Sequence, residues 1–172
     1  MPDHFQRLGL PRRFVLDAVE LERQYLARSR EVHPDNFQMG GSLEQRASLE
    51  LSASLNEAYA ILRDPFRRAE YLLQLEGGPT AADLKEVPAA FLEEMLELRM
   101  AIEEIKEQPN GSEFTAMEEQ LADRREGLLN EVGLRLARLD ETANRPILLK
   151  ETRQLLNATK YVHGLIRDLH AD

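Results

Sequence analysis

Apolar side chains recur at steps of three and four along nearly the whole chain, and the main breaks in that rhythm fall at glycine and proline. Such spacing gives each segment one buried helical face and does not suit the strict alternation of a half-buried strand. The expected fold is therefore all-α. "MPDHFQRLGLP" supports a short first helix with Phe5 and Leu8 on one face, ended by Gly9 and Pro11. Asp17 and Glu20 have the spacing of a capping box for a second helix running to about Glu31, with Leu21, Tyr25 and Val32 on its apolar side. Pro34 stops that helix, because proline lacks an N–H and pushes His33 out of the helical region. Ser42 with Gln45 has the spacing to cap a third helix, along which Ala47, Leu51, Leu55, Ala58, Tyr59 and Leu62 form the apolar stripe. Joined by a short loop, helices two and three lie antiparallel to bury their stripes, and residues 33 to 35 sit at the open tip of the hairpin. "RDPFRRAEYLLQL" restarts a helix with Asp64 as cap and Pro65 at its first position.

The periodicity lapses at "EGGPTAADLKEVP", residues 76 to 88, where glycine, proline and small residues cluster. A domain boundary is expected there, giving a first domain over 1–76, a linker over 77–87 and a second domain over 88–172. Three periodic segments follow, roughly 89–107, 113–139 and 144–169. Their stripes run through Phe91, Met95, Leu98 and Ile102, then Phe114, Met117, Leu121, Leu128, Val132, Leu136 and Leu139, then Leu148, Leu155, Val162, Leu165 and Leu169. Three amphipathic helices with short connections make a bundle.

Charge and sulfur content narrow the functions. The 31 acids and 22 bases leave a net charge of −9, which argues against nucleic acid, whose binding needs a basic surface to displace counterions. With no cysteine there is no disulfide, and no thiolate for zinc, an iron-sulfur cluster or nucleophilic attack. No resident cofactor is expected. No stretch approaches the roughly 20 apolar residues of a membrane span, and the first residues lack the pattern of a signal peptide. A cytoplasmic protein without a membrane partner is expected.

One tripeptide stands apart, His33-Pro34-Asp35 in "REVHPDNFQ". Proline and aspartate are common in turns, so it suits a plain turn. His33 and Asp35 also have the H-x-D spacing of a facial metal triad, which needs a further histidine from among His4, His163 and His170. Thirdly, a rigid loop at a hairpin tip, beside Arg23 and Arg30 seven residues apart on one face of helix two, is suited to docking on another protein.

"ERQYLARSREVHPDNF" followed by "SASLNEAYAILRDPFRRAEYLL" resembles a J-domain, the module that stimulates the ATPase of DnaK-class chaperones. "AFLEEMLELRMAIEEI", residues 90–105, resembles the C-terminal helical domain of the HscB (Jac-type) iron-sulfur cluster co-chaperones, so the likeness spans nearly the whole chain. The resemblance implies a non-enzymatic adaptor. Its J-domain would engage a DnaK/HscA-type ATPase, and its helical domain would deliver an IscU-type scaffold protein. His33, Pro34 and Asp35 match the ATPase-stimulating motif, and Arg23 and Arg30 fall where the family uses basic residues to meet the chaperone. Asn36 replaces the lysine common after the motif, and Arg28 stands where an apolar residue is common.

On the scaffold side the resemblance points to Leu92, Leu96, Glu97 and Glu104, with Tyr161, beside Val162, as the aromatic contribution of the last helix. Glu93 stands where an apolar residue is usual and Met100 where an acid is usual. Leu92 and Leu96 lie off the stripe through Phe91, Met95, Leu98 and Ile102, and an exposed leucine pair is a surface for a partner to cover. Residues 83–107 hold eight acids against three bases, which favours encounter with a basic partner. Two alternatives stay open: a J-protein with a different client, and a metal enzyme using His33 and Asp35.

Overall fold

The computed structural model describes residues 1–141 and 143–171, among which there are seven α-helices, one 3-10 turn and no strand. The helices are α1 (His4–Arg7), α2 (Ala18–Glu31), α3 (Ser42–Leu62), α4 (Pro65–Leu75), α5 (Phe91–Ile105), α6 (Ser112–Leu136) and α7 (Arg145–Leu169), and the 3-10 turn is Pro34–Phe37. The chain is all-α, as its periodicity implies. It forms two compact units, Met1–Leu72 and Leu73–Asp172.

In the first unit α2 and α3 form the antiparallel hairpin. The Val32 carbonyl at the end of α2 accepts from the Ser48 hydroxyl at 2.7 Å, while Tyr25, two turns earlier, donates to Asn56 Oδ1 at 2.6 Å and stacks on Tyr59. Partners that climb one helix as they descend the other can only run in opposite directions. The register of α3 differs from the stripe expected of it. Ser48 is buried, whereas Ala47 and Leu51 are exposed. Helix ends leave carbonyls without intrahelical partners. The hydroxyls of Ser48 and Ser52 satisfy the one at Val32, so the polar residue takes the inner position. α3 also begins differently, with Gly41 at the N-cap and no side-chain cap, because the Gln45 amide bonds to the Gln38 and Gly40 carbonyls instead. At α2 the capping box is half made. Asp17 accepts from the Val19 and Glu20 N–H groups, but Glu20 turns to Arg23 and Gln24 rather than back to the cap.

α1 is short but anchored. Asp3 and Gln6 form a reciprocal capping box, and Phe5 and Leu8 are fully buried with Leu21, Leu55, Ala58 and Leu62. Gly9 follows with φ 65°, and a Cβ there would collide with the Arg28 guanidinium. Arg28 thus fits a site where apolar residues are common because glycine leaves room for its head group.

His4 is buried too, its ring 4.4 Å from that of Tyr71 and its Nδ1 without a hydrogen-bond partner. Burial, only partly opposed by Glu57, holds its imidazole below the ordinary value of 6.5. The unfolded chain therefore takes up this proton first on acidification, so the stability is full above that value and lost as pH falls toward the lower folded value. Thermal melts at about pH 7.5 and about pH 5.5 are expected to show a larger acid-side fall for the wild type than for His4→Phe.

The "RDPFRRAEY" block joins α3 to α4. Asp64 caps α4 by accepting from the Arg67 N–H, and Pro65 opens the helix where a missing donor costs nothing. Arg68, buried, donates to the Leu62 carbonyl at 2.6 Å and lies over the Phe14 ring. Its removal strands a buried carbonyl, so Arg68→Ala is expected to lower stability by about 2 kcal/mol. The exposed Arg67, with a 3.3 Å bond to the Ala60 carbonyl, is the control. Arg67→Ala should stay within about 0.5 kcal/mol in urea denaturation.

In the second unit α7 is the most deeply set helix and packs along α6, with α5 against it. The expected stripes of α5 and α7 are buried, as are Met117, Leu121, Leu128, Val132 and Leu139, while Phe114 and Leu136 are half-buried. Two threonines interrupt the apolar interior of α7 and satisfy themselves locally, Thr152 bonding to the Leu148 carbonyl and Thr159 to the Leu155 carbonyl. The segment without periodicity is held by side chains. Arg145 binds the Glu76 carbonyl and carboxylate, and the Asn157 amide donates to the carbonyls of Leu84 and Glu86.

Candidate functional site

The proline that ends α2 also shapes the tripeptide. His33 is the N-cap of the 3-10 turn, its Nδ1 accepting from the Asp35 N–H at 3.2 Å, and Pro34 occupies the first position of that turn. The imidazole therefore spends one nitrogen on holding the turn. Gln38 ties the Asp35 carboxylate from the other side, and the Asn36 amide donates to the Arg30 carbonyl at the open end of α2. Asn36 thus closes the helix, which a lysine could not do by the same bond. The side chains of His33 and Asp35 remain 57% and 72% exposed on this rigid support. Pro34, Asp35, Gln38, Gln45 and Leu49 border a shallow groove between the turn and α3.

Arg23 and Arg30 are both exposed on α2 but differ in availability. Arg23 makes two bonds to Glu20, at 2.8 and 2.7 Å, and those bonds hold the Glu20 carboxyl down at about 2. Arg30 has no ion-pair partner among the described residues. Among those residues no three histidine, aspartate or glutamate side chains are placed to hold a metal ion, as a facial triad built on His33 and Asp35 would require.

On the second unit, Phe91, Met95, Leu98 and Ile102 turn α5 inward, so its other face is open. Leu92 and Leu96 are 56% and 59% exposed, and Met100, one turn further on, is 71% exposed. At 3.6 residues per turn these three lie within about 80° round the helix, an apolar ridge with Glu93, Glu97 and Glu104 along its far side. Met100 was legible only as a departure from the family pattern, although the i, i+4, i+8 spacing from Leu92 already joins it to the ridge. Glu94, by contrast, is engaged by Arg124 through two bonds to α6.

Tyr161 on α7 is half-buried, with its ring edge-on to Phe91 at 6.0 Å and the Arg99 guanidinium over its face at 5.8 Å. It thus meets the start of α5 through Phe91 and its middle through Arg99. Val162 is fully buried and belongs to the core. The exposed features are contact surfaces, one turn on the first unit and one apolar ridge with acids on the second.

Comparison with known proteins agrees with this layout. Residues 87–170 match the family described as the HSCB C-terminal oligomerisation domain. A co-chaperone protein HscB homolog of Burkholderia thailandensis is 37% identical over 131 residues, covering 76% of this chain and 75% of that one. Chaperone HscB from Vibrio cholerae superimposes with a TM-score of 0.75 at 27% identity, over 98% of this chain and 95% of that one. The human co-chaperone protein HscB has the same fold, with a TM-score of 0.79 at 23% identity over 98% and 81% of the two chains. Identity of 37% sustained over three quarters of both sequences, on a fold shared along almost its whole length, establishes that this chain belongs to the HscB family of co-chaperones.

Proposed function

We propose that this chain serves iron-sulfur cluster biogenesis by bringing an IscU-type scaffold to a DnaK/HscA-type chaperone and stimulating that chaperone's ATPase. Residues 1–76 act as the J-domain and residues 88–172 as the scaffold-binding domain, with 77–87 between them. The observation that carries this reading is the His33-Pro34-Asp35 turn, exposed at the hairpin tip yet fixed by bonds from Asp35, Asn36 and Gln38. A preorganised loop with free polar groups loses little entropy on docking. Family membership supports the same partners.

Charge separates the two roles. The first unit carries eleven acids and ten bases, all arginine, so its basic groups meet the acidic surface of a chaperone locally, through Arg30 and Arg23. The second unit carries twenty acids against twelve bases, which suits a basic scaffold surface. Leu92 and Leu96 provide the apolar centre, Glu97 and Glu104 the charged rim, and Tyr161 the aromatic edge. Hydrolysis on the chaperone then locks the delivered client in place. The chain performs no covalent step itself, and the cluster is cargo whose ligands the scaffold supplies.

Salt-series measurements of affinity for the ATP-bound chaperone test the J-domain half of this reading. Arg30→Glu is expected to weaken binding more than Arg23→Glu, because Arg23 must first leave Glu20 whereas Arg30 is free to engage. Wild-type affinity should fall as salt rises. Equal, salt-independent affinities for all three proteins would mean that these arginines are only solvated surface.

A further inference from the structure

The chain has no cysteine, so its five methionines are the only sulfur atoms that a peroxide can oxidise. Met95 and Met117 are buried in the second unit, whereas Met1, Met39 and Met100 are exposed. Met1 precedes α1 and Met39 lies in the loop ahead of α3, both in the first unit. Of the five, Met100 alone stands on the apolar ridge of α5. It lies four residues beyond Leu96 and four before Glu104, so the ridge ends on its thioether.

That position gives its chemistry a consequence for binding. A methionine fills about the same space as a leucine and is similarly apolar toward a partner, but its sulfur carries a lone pair that oxidants can reach wherever the side chain is solvated. Attack of that lone pair on one peroxide oxygen forms the S–O bond and breaks the O–O bond. The sulfur gives up two electrons, and the other peroxide oxygen leaves as water. The new oxygen is a polar acceptor. Covered by an apolar contact it loses its water without replacement, a cost that Leu92 and Leu96 cannot incur. A bound scaffold covers the sulfur too, so the reaction falls on the free chain.

We propose that Met100 is an oxidative modification site, at which a peroxide converts the thioether to the sulfoxide and thereby lowers affinity for the scaffold. The proposal rests on the scaffold reading above and adds regulation to it. Because the two methionines of the core are shielded, contact is lost while the fold is kept.

The full chain is treated with hydrogen peroxide, the peroxide is removed, and an IscU-type scaffold is titrated in by calorimetry, while peptide mass spectrometry reads the sulfoxide at each methionine. Met1, Met39 and Met100 are expected to oxidise well before Met95 and Met117, with the melting temperature held. Affinity should fall about tenfold as Met100 is converted and return on treatment with a methionine sulfoxide reductase. Each variant is compared with its own untreated sample: Met100→Leu should lose no affinity to peroxide, and Met39→Leu should lose as much as the wild type. Scaffold added before the peroxide should shield Met100 and leave Met39 reactive. Unchanged affinity with Met100 fully converted, a loss in Met100→Leu equal to that of the wild type, or Met100 unshielded in the complex overturns the proposal and leaves the scaffold reading standing. No binding by the untreated wild type overturns both.

Discussion

Replacing His33 by glutamine is expected to abolish stimulation of the chaperone ATPase while leaving the fold almost untouched. The side chain is more than half exposed and supports no apolar stripe, so its loss should cost no more than the roughly 0.5 kcal/mol typical of surface positions. Its one internal duty is to accept the Asp35 N–H through Nδ1. A glutamine carbonyl can take over that bond but cannot place a second, aromatic nitrogen where Nε2 stands. The substitution therefore separates holding the turn from presenting the imidazole. ATPase assays with the variant, read alongside thermal melts, decide the matter. Stimulation equal to wild type by a folded variant would remove His33 from the mechanism.

The double change Leu92→Ala with Leu96→Ala should weaken scaffold binding by at least about 2 kcal/mol, the scale of residues at the centre of an interface. The four buried residues of α5 hold the helix in place, and the two leucines lie outside that buried face and are more than half exposed, so the melting temperature should barely move. Acids at the rim contribute chiefly to encounter and orientation. Tyr161→Ala should act in the same direction but also lower stability, because its ring rests on Phe91. A large fall in melting temperature for the leucine pair would contradict their exposure. Unchanged affinity in calorimetry would remove the ridge from the binding surface.

Much of this architecture is legible in the chain because glycine and proline punctuate a strong 3.6-residue rhythm. Pro34 fixes the end of α2, Asp64-Pro65 the start of α4, and the core faces of α5 and α7 follow directly from apolar spacing. What escapes sequence reasoning is where polar side chains send their hydrogen bonds. Ser48 turns inward because Val32 has an open carbonyl, and Ser42 cedes the cap of α3 to Gly41 while Gln45 serves the preceding loop. Glu20 has two competing donors and takes the side chains over the backbone. None of these choices leaves a periodic trace. The same limit applies to the surfaces. Leu92 and Leu96 could be separated from the core stripe by counting, but Glu20 claiming Arg23 depends on neighbours brought together only by folding.

Single-turnover ATP hydrolysis by a DnaK-class chaperone, measured alone, with this chain, and with this chain plus an IscU-type scaffold, tests the adaptor mechanism most directly. The expected result is acceleration by the chain, a further acceleration when the scaffold is added, and neither effect with His33→Gln. Hydrolysis unaffected by the wild-type chain, or a scaffold effect of the same size whether or not the chain is present, would contradict the coupling of the two partners through this protein.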